Sequence, residues 1–62
     1  MRNRVEEYRD RLSLTQKELS KIVCVTQPTI SNIESGKKIP SVELAIHISR
    51  ALNTTVEELF IV

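Results

Sequence analysis

The chain has 62 residues, 40% of them hydrophobic and 27% charged, and a formal net charge of +1. This length suits one small domain, over residues 1–62, and no apolar stretch approaches the roughly 20 residues of a membrane span or forms a signal-peptide core. One cysteine and one histidine exclude an internal disulfide and a four-ligand zinc site, so we expect a cytoplasmic domain without a metal or membrane partner.

The first two predicted elements are helices. Val5, Tyr8 and Leu12 recur at the spacing of one helix face, which predicts a helix over about 3–11. Thr15 and Glu18 form a capping-box pattern, in which a hydroxyl and a carboxylate satisfy free amides where a second helix begins. The residues that this second helix is expected to bury are Leu19, Ile22 and Val23.

The third predicted helix is capped by Thr26, carries Pro28 in its first turn and ends at Gly36. Ile30 and Ile33 mark its buried side. A turn of about three residues separates it from the second helix, so the two predict a helix-turn-helix over about 15–35.

A linker precedes the last two predicted helices. Ser41 is expected to cap the fourth helix, Asn53 to close it, and the Thr55–Glu58 capping-box pattern to open a short fifth helix. Their apolar residues are Val42, Leu44, Ala45, Ile48, Ala51 and Leu52, then Val56, Leu59 and Phe60. The predicted fold class is therefore all-α, with five helices.

Short, uncharged polar side chains line the outward side of the third helix. Amides can pair with adenine, hydroxyls can bond bases or phosphates, and a helix N-terminus attracts phosphate. Lys37 and Lys38 follow, and residues 11–42 carry five basic groups against two acidic ones. This combination favours DNA over the alternative of a merely solvated helix face.

The chain resembles the helix-turn-helix family of the lambda repressor, Cro and the XRE-type regulators. The resemblance rests on L-T-Q-x-E-L, V-T-Q-x-T-I-S-x-I-E-x-G, P-S-x-E-L and L-x-x-x-x-E-E-L-F, and Arg4 to Leu12 resembles the family's first helix. It implies a compact domain whose third helix enters the major groove while the second crosses the DNA backbone. Ser13 and Cys24 stand where the family often has glycine, and a positive φ at Cys24 would cost about 1 kcal/mol.

The resemblance also implies a role for individual positions. The positions that match base contacts are Gln27, Pro28, Ser31 and Asn32. Those that match phosphate contacts are Gln16, Thr26, Thr29, Ser35, Lys37 and Lys38. Arg9 and Glu34 match a partly buried ion pair between the first and third helices.

The C-terminal segment 55–62 is the predicted homodimer interface, since a domain this small cannot easily bury further apolar residues at its end. The expected contacts are Leu59, Phe60, Ile61 and Val62. Family members bind as two-fold dimers with recognition helices about 34 Å apart. One alternative is that Leu59 and Phe60 complete the core of the monomer; another is that the tail is frayed or cut from a longer protein.

The sequence therefore predicts a DNA-binding transcriptional regulator, prokaryotic or phage-encoded and nucleoid-associated when bound, that represses from a short palindromic operator. The alternatives are an antitoxin-like or adaptor module that presents the same face to a protein, and a solely structural domain of a larger protein. No Ser-His-Asp, Cys-His or paired-carboxylate pattern indicates an enzyme, and no cofactor is expected. Cys24 is interpreted as partly buried packing in the turn rather than a redox sensor, and His47 as partly exposed packing rather than a ligand.

Overall fold

A computed structural model describes residues 2–60, in which five α-helices and no strand occur. The helices are α1 (Val5–Arg11), α2 (Gln16–Ile22), α3 (Gln27–Glu34), α4 (Val42–Ala51) and α5 (Val56–Phe60). The predicted all-α fold with five short helices is confirmed.

One hydrophobic core joins the five helices. Each helix contributes at least one side chain with no exposed surface, namely Val5, Leu19, Ile30, Ile33, Ile48 and Leu59. Burial of a side chain of this size stabilises the fold by about 1.5–3 kcal/mol. Because α2 packs mainly against α3, the core fixes the angle within the helix-turn-helix.

Side-chain caps set the beginnings of α2, α3 and α4 as predicted. The Thr15 hydroxyl accepts from the Glu18 N–H at 3.0 Å, and the Glu18 carboxylate accepts from the Thr15 N–H at 2.8 Å. The bond from the Thr15 N–H to the charged carboxylate is the main reason that the pKa of Glu18 lies below its ordinary value. Thr26 and Ser41 cap α3 and α4 through one hydroxyl each.

The second predicted capping box forms only in part. The Thr55 hydroxyl accepts from the Glu58 N–H at 3.1 Å, whereas the Glu58 carboxylate accepts from the Tyr8 hydroxyl at 3.0 Å. The carboxylate thereby ties α5 to α1. A backbone bond of 2.8 Å from the Arg4 N–H to the Leu59 carbonyl oxygen joins the same two parts of the chain.

Helix α1 begins at Val5 rather than at Asn3 as expected. The Asn3 side chain accepts from the Val5 N–H at 3.1 Å and donates to the Ile33 carbonyl oxygen at 2.8 Å. Asparagine side chains compete with helical hydrogen bonding in this way. Asn3 therefore links the start of α1 to the end of α3.

Two residues predicted to be buried are exposed. Ile22 is 55% exposed and Val42 is 78% exposed. The buried line of α2 runs through Leu19 and Val23, so Ile22 lies beside it. Val42 is the first residue of α4 and extends past the edge of the core.

The turn between α2 and α3 uses a left-handed residue that is not glycine. Cys24 has a φ of 61°, which costs about 1 kcal/mol relative to glycine. Its side chain is exposed, so the expectation that it fills partly buried space is wrong. Ser13 and Asn53 adopt φ values of 57° and 58° in the same way after α1 and α4.

Candidate nucleic-acid interface

The core determines which side of α3 faces outward. Ile30 and Ile33 have no exposed surface, and the opposite side presents three of the four predicted base contacts, Gln27, Pro28 and Asn32, as exposed side chains. Ser31, the fourth predicted base contact, is half-buried. The outward face is therefore polar and uncharged.

The amides of this face are free for a ligand. Within residues 2–60, no intramolecular hydrogen bond uses the side-chain amide of Gln27 or of Asn32. Each amide offers donors and an acceptor in one plane, which suits bidentate pairing with adenine.

Two threonines at the start of α3 pair with each other. The Thr26 and Thr29 hydroxyls lie 2.9 Å apart, and the Thr26 oxygen also accepts from the Thr29 N–H at 3.4 Å. One hydroxyl proton is used between them, which leaves the other for an external acceptor. No acidic residue occupies the first turn of α3. No carboxylate there therefore competes with a phosphate for the backbone N–H groups at the helix start.

The loop that follows α3 is held by the Asn32 carbonyl oxygen. That oxygen accepts from the Lys37 N–H at 2.9 Å, from the Lys38 N–H at 3.1 Å and from the Ser35 hydroxyl at 3.1 Å. Both lysine side chains are exposed. The backbone of Lys37 and Lys38, the two predicted phosphate contacts, is thus fixed relative to Asn32, a predicted base contact. The Ser35 hydroxyl proton is already used in a hydrogen bond within the protein.

A buried ion pair joins α1 to α3 behind this face. Arg9 Nε donates to Glu34 Oε2 at 2.8 Å, and the two side chains are 11% and 6% exposed. The hydrogen bond to Glu34 raises the pKa of Arg9, although burial acts in the opposite direction. Arg9 also donates to the Leu14 carbonyl oxygen at 2.6 Å, so its guanidinium connects α1, the following turn and α3.

Gln16 belongs to the same network. Its Nε2 donates to Glu34 Oε1 at 2.9 Å, and the side chain is half-buried. The second hydrogen of that amide is available to a phosphate, so Gln16 is placed to link the ion pair to a ligand. Its long-range bond to Glu34 has no signature in the local sequence.

The structure reassigns part of the expected dimer interface. Leu59 has no exposed surface and belongs to the core of the monomer, so the expectation that it contacts a second subunit is wrong. Phe60 is half-buried against the same core. Ile61 and Val62 lie outside the described residues.

An open groove of about 810 Å³ lies between the end of α2, the turn and α4. Its apolar lining includes Ile22, Leu44 and Ala51, and Cys24 and His47 also border it. The sequence did not indicate this groove, because Ile22 was expected in the core. None of its lining residues comes from α3, so it is separate from the outward face of that helix.

Two kinds of feature are absent from residues 2–60. No helix there has the length and apolar character to cross a bilayer. Nor do three His, Cys, Asp or Glu side chains come together there as metal ligands.

The fold and its outward face define a domain of the helix-turn-helix class. The family model described as helix-turn-helix matches residues 5–59. An HTH-type transcriptional regulator of Archaeoglobus fulgidus is 46% identical over 61 residues, which cover 98% of this chain and 87% of the relative. The chain therefore belongs to the helix-turn-helix family of DNA-binding transcriptional regulators, of the lambda-repressor-like XRE type.

Solved structures show the same relationship. The DNA-binding domain of the P22 c2 repressor superposes with a TM-score of 0.83 at 30% identity, covering 87% of this chain and 71% of that one. SinR, a master regulator for biofilm formation, was solved in complex with DNA. It gives a TM-score of 0.80 at 25% identity and covers 87% of each chain.

Proposed function

We propose that this regulator is a repressor that acts in the prokaryotic cytoplasm and binds a short palindromic operator as a homodimer, with α3 in the major groove. The observation that carries the proposal is the pair of exposed side-chain amides, Gln27 and Asn32, which have no partner among residues 2–60. Burial of Ile30 and Ile33 on the opposite side prevents α3 from turning these amides inward.

Different side chains are assigned to the DNA bases and to the DNA phosphates. Gln27 and Asn32 read base edges, with Pro28 and Ser31 completing the contact surface. The anchors to phosphate are Gln16, Thr26, Thr29, Ser35, Lys37 and Lys38. Similarity to the P22 c2 repressor domain and to SinR in its DNA complex supports a repressor that occupies DNA directly.

The function is tested by selecting bound sequences from a random DNA pool and measuring affinity for the selected site at several salt concentrations. Lys37→Ala and Lys38→Ala should each weaken binding to selected and random DNA alike and reduce the salt slope by about 1, because each lysine neutralises one phosphate. Arg50→Ala is the matched control, since it removes one charge at the groove and should leave the slope unchanged.

An adaptor or antitoxin-like module would give a different result. Such a protein would show no retention on heparin or random DNA at low salt, and the pool would yield no enriched half-site. That outcome would favour a protein partner for the outward face of α3. A selected site that lacks two-fold symmetry would be consistent with DNA binding but would contradict the proposed homodimer.

A further inference from the structure

The residues that precede α1 are tied to the end of α3. The Asn3 side chain donates from Nδ2 to the Ile33 carbonyl oxygen at 2.8 Å and accepts from the Val5 N–H at 3.1 Å. Its amide therefore bridges the start of α1 and the last turn of α3. The Arg4 N–H donates to the Leu59 carbonyl oxygen at 2.8 Å, so the backbone that follows Asn3 is also held against the domain.

The carbonyl oxygen that binds Asn3 also binds the loop after α3. The Gly36 N–H donates to the Ile33 carbonyl oxygen at 3.1 Å, and the next two residues of the loop are Lys37 and Lys38. Asn3 and the loop therefore meet at one backbone atom. A basic residue next to Asn3 in the chain consequently lies near the two lysines that are assigned to DNA phosphates.

Arg2, which directly precedes Asn3, has an exposed side chain without a partner among residues 2–60. The ion pairs found there have Arg9 and Arg11 as their basic members. Adjacent Cα atoms lie about 3.8 Å apart, and an extended arginine side chain adds roughly 7 Å. The two bonds to the Ile33 oxygen keep the loop within a similar distance of Asn3, so the Arg2 guanidinium can lie next to the loop lysines.

We propose that Arg2 contacts a phosphate of the DNA backbone and that Asn3 is the positioning residue that holds it beside Lys37 and Lys38. The proposal rests on the proposed function, in which those two lysines lie against phosphates, and it adds to them a residue from outside the helix-turn-helix. The sequence did not indicate this contact, because residues 2 and 37 are distant in the chain and only the bond from Asn3 to Ile33 brings them together.

The charges around the loop favour a phosphate as the ligand of Arg2. Arg2, Lys37 and Lys38 place three positive charges at the end of α3. The acid of that helix, Glu34, is buried and held by Arg9 at 2.8 Å, so it does not neutralise them. A guanidinium presents its N–H donors in one plane and can bind two oxygens of a single phosphate. A phosphate of the duplex therefore satisfies a group that the protein itself leaves without a partner.

The first experiment measures affinity for the selected operator and for random DNA at several salt concentrations. Arg2→Ala should weaken both and lower the salt slope by about 1, whereas Arg2→Lys should keep the slope, because the slope counts neutralised phosphates. Between about 50 and about 200 mM salt, the advantage of wild type over Arg2→Ala should shrink roughly threefold. Arg50→Ala is the matched control, since it removes the same charge at the groove. An unchanged slope in Arg2→Ala would overturn the proposal.

The second experiment locates the contact by ethylation interference, in which ethylation of a phosphate removes its negative charge. Ethylation of a phosphate next to those that Lys37 and Lys38 contact should weaken binding of the wild type, and Arg2→Ala should be insensitive at that phosphate alone. Lys37→Ala should become insensitive at a different phosphate. Identical interference patterns for the wild type and Arg2→Ala would contradict a direct contact, even where the affinity falls.

The positioning role of Asn3 is tested with Asn3→Ser, whose hydroxyl can accept from the Val5 N–H but is too short to reach the Ile33 carbonyl oxygen. This variant should lower the salt slope toward that of Arg2→Ala, and Arg2→Ala should have a smaller effect in the Asn3→Ser background than in wild type. Additive effects, or a loss of stability with an unchanged slope, would overturn the positioning role. Circular dichroism and urea denaturation check that each variant is folded under the conditions of the binding assay.

The Arg2 contact and the proposed function fail in different ways. Wild-type protein that selects an operator, together with an Arg2→Ala variant of unchanged salt slope and interference pattern, would overturn the Arg2 contact and leave DNA binding by α3 and the loop intact. Wild-type protein that binds no DNA at low salt would contradict the proposed function, and the contact that rests on it would be overturned as well.

Discussion

The two sides of α3 differ in how their polar groups are satisfied. On the inner side Ile30 and Ile33 are fully buried, and Glu34 is held by Arg9 at 2.8 Å. On the outer side the amides of Gln27 and Asn32 are exposed and have no partner among the described residues. The contrast indicates that the inner side fixes the orientation of the helix, whereas the outer side keeps its hydrogen-bonding capacity for a ligand.

Removing the carboxylate on the inner side should have the largest effect. Glu34→Ala removes the buried partner of Arg9 and leaves only the exposed carboxylates of Asp10 at 3.3 Å and Glu6 at 3.9 Å. It should lower the free energy of unfolding by about 3 kcal/mol, as measured by urea denaturation. The double variant Arg9→Met with Glu34→Leu removes both charges and should be less destabilised than Glu34→Ala. A loss below about 1 kcal/mol in Glu34→Ala would show that water reaches the pair.

Changes on the outer side should affect binding and not folding. Gln27→Ala and Asn32→Ala should each lower affinity for the selected operator by about 1–3 kcal/mol and relax the base preference at one position. Their free energies of unfolding should stay within about 0.5 kcal/mol of wild type. Equal losses on operator and random DNA, measured by fluorescence anisotropy, would instead assign these amides to phosphate.

The turn that sets the angle between α2 and α3 should give a smaller effect of opposite sign. Cys24→Gly removes the side chain from a position with a φ of 61° and should raise the free energy of unfolding by about 1 kcal/mol. Cys24→Ala keeps a Cβ at that φ and is the matched control, with little expected gain. If both variants gain equally, the thiol rather than the backbone is the source of the cost.

The two T-x-x-E patterns show which hydrogen bonds the local sequence predicts and which it does not. Thr15 and Glu18 form the full reciprocal cap that their spacing predicts. Thr55 and Glu58 have the same spacing, yet the Glu58 carboxylate bonds Tyr8, 50 residues away. The beginning of each helix could therefore be predicted, but the partner of an acid in its first turn could not, because another element offered a competing donor.

In the candidate interface, too, the features set by nearby residues could be predicted and the contacts between distant residues could not. The inward direction of Ile30 and Ile33, and hence the outward direction of Gln27, follows from helical periodicity. The bond from Gln16 to Glu34 could not be predicted, since the two residues are 18 positions apart. The burial of Leu59 in the monomer likewise depends on how α5 packs against α1 and α4.

The sequence by itself determined the number of helices, most of their beginnings and the outward face of α3, because these depend on interactions between residues three or four positions apart. Only the tertiary structure decided that Ile22 and Val42 are exposed and Leu59 is buried. Exposure depends on which surfaces distant helices cover, and the pattern within one helix does not contain that information.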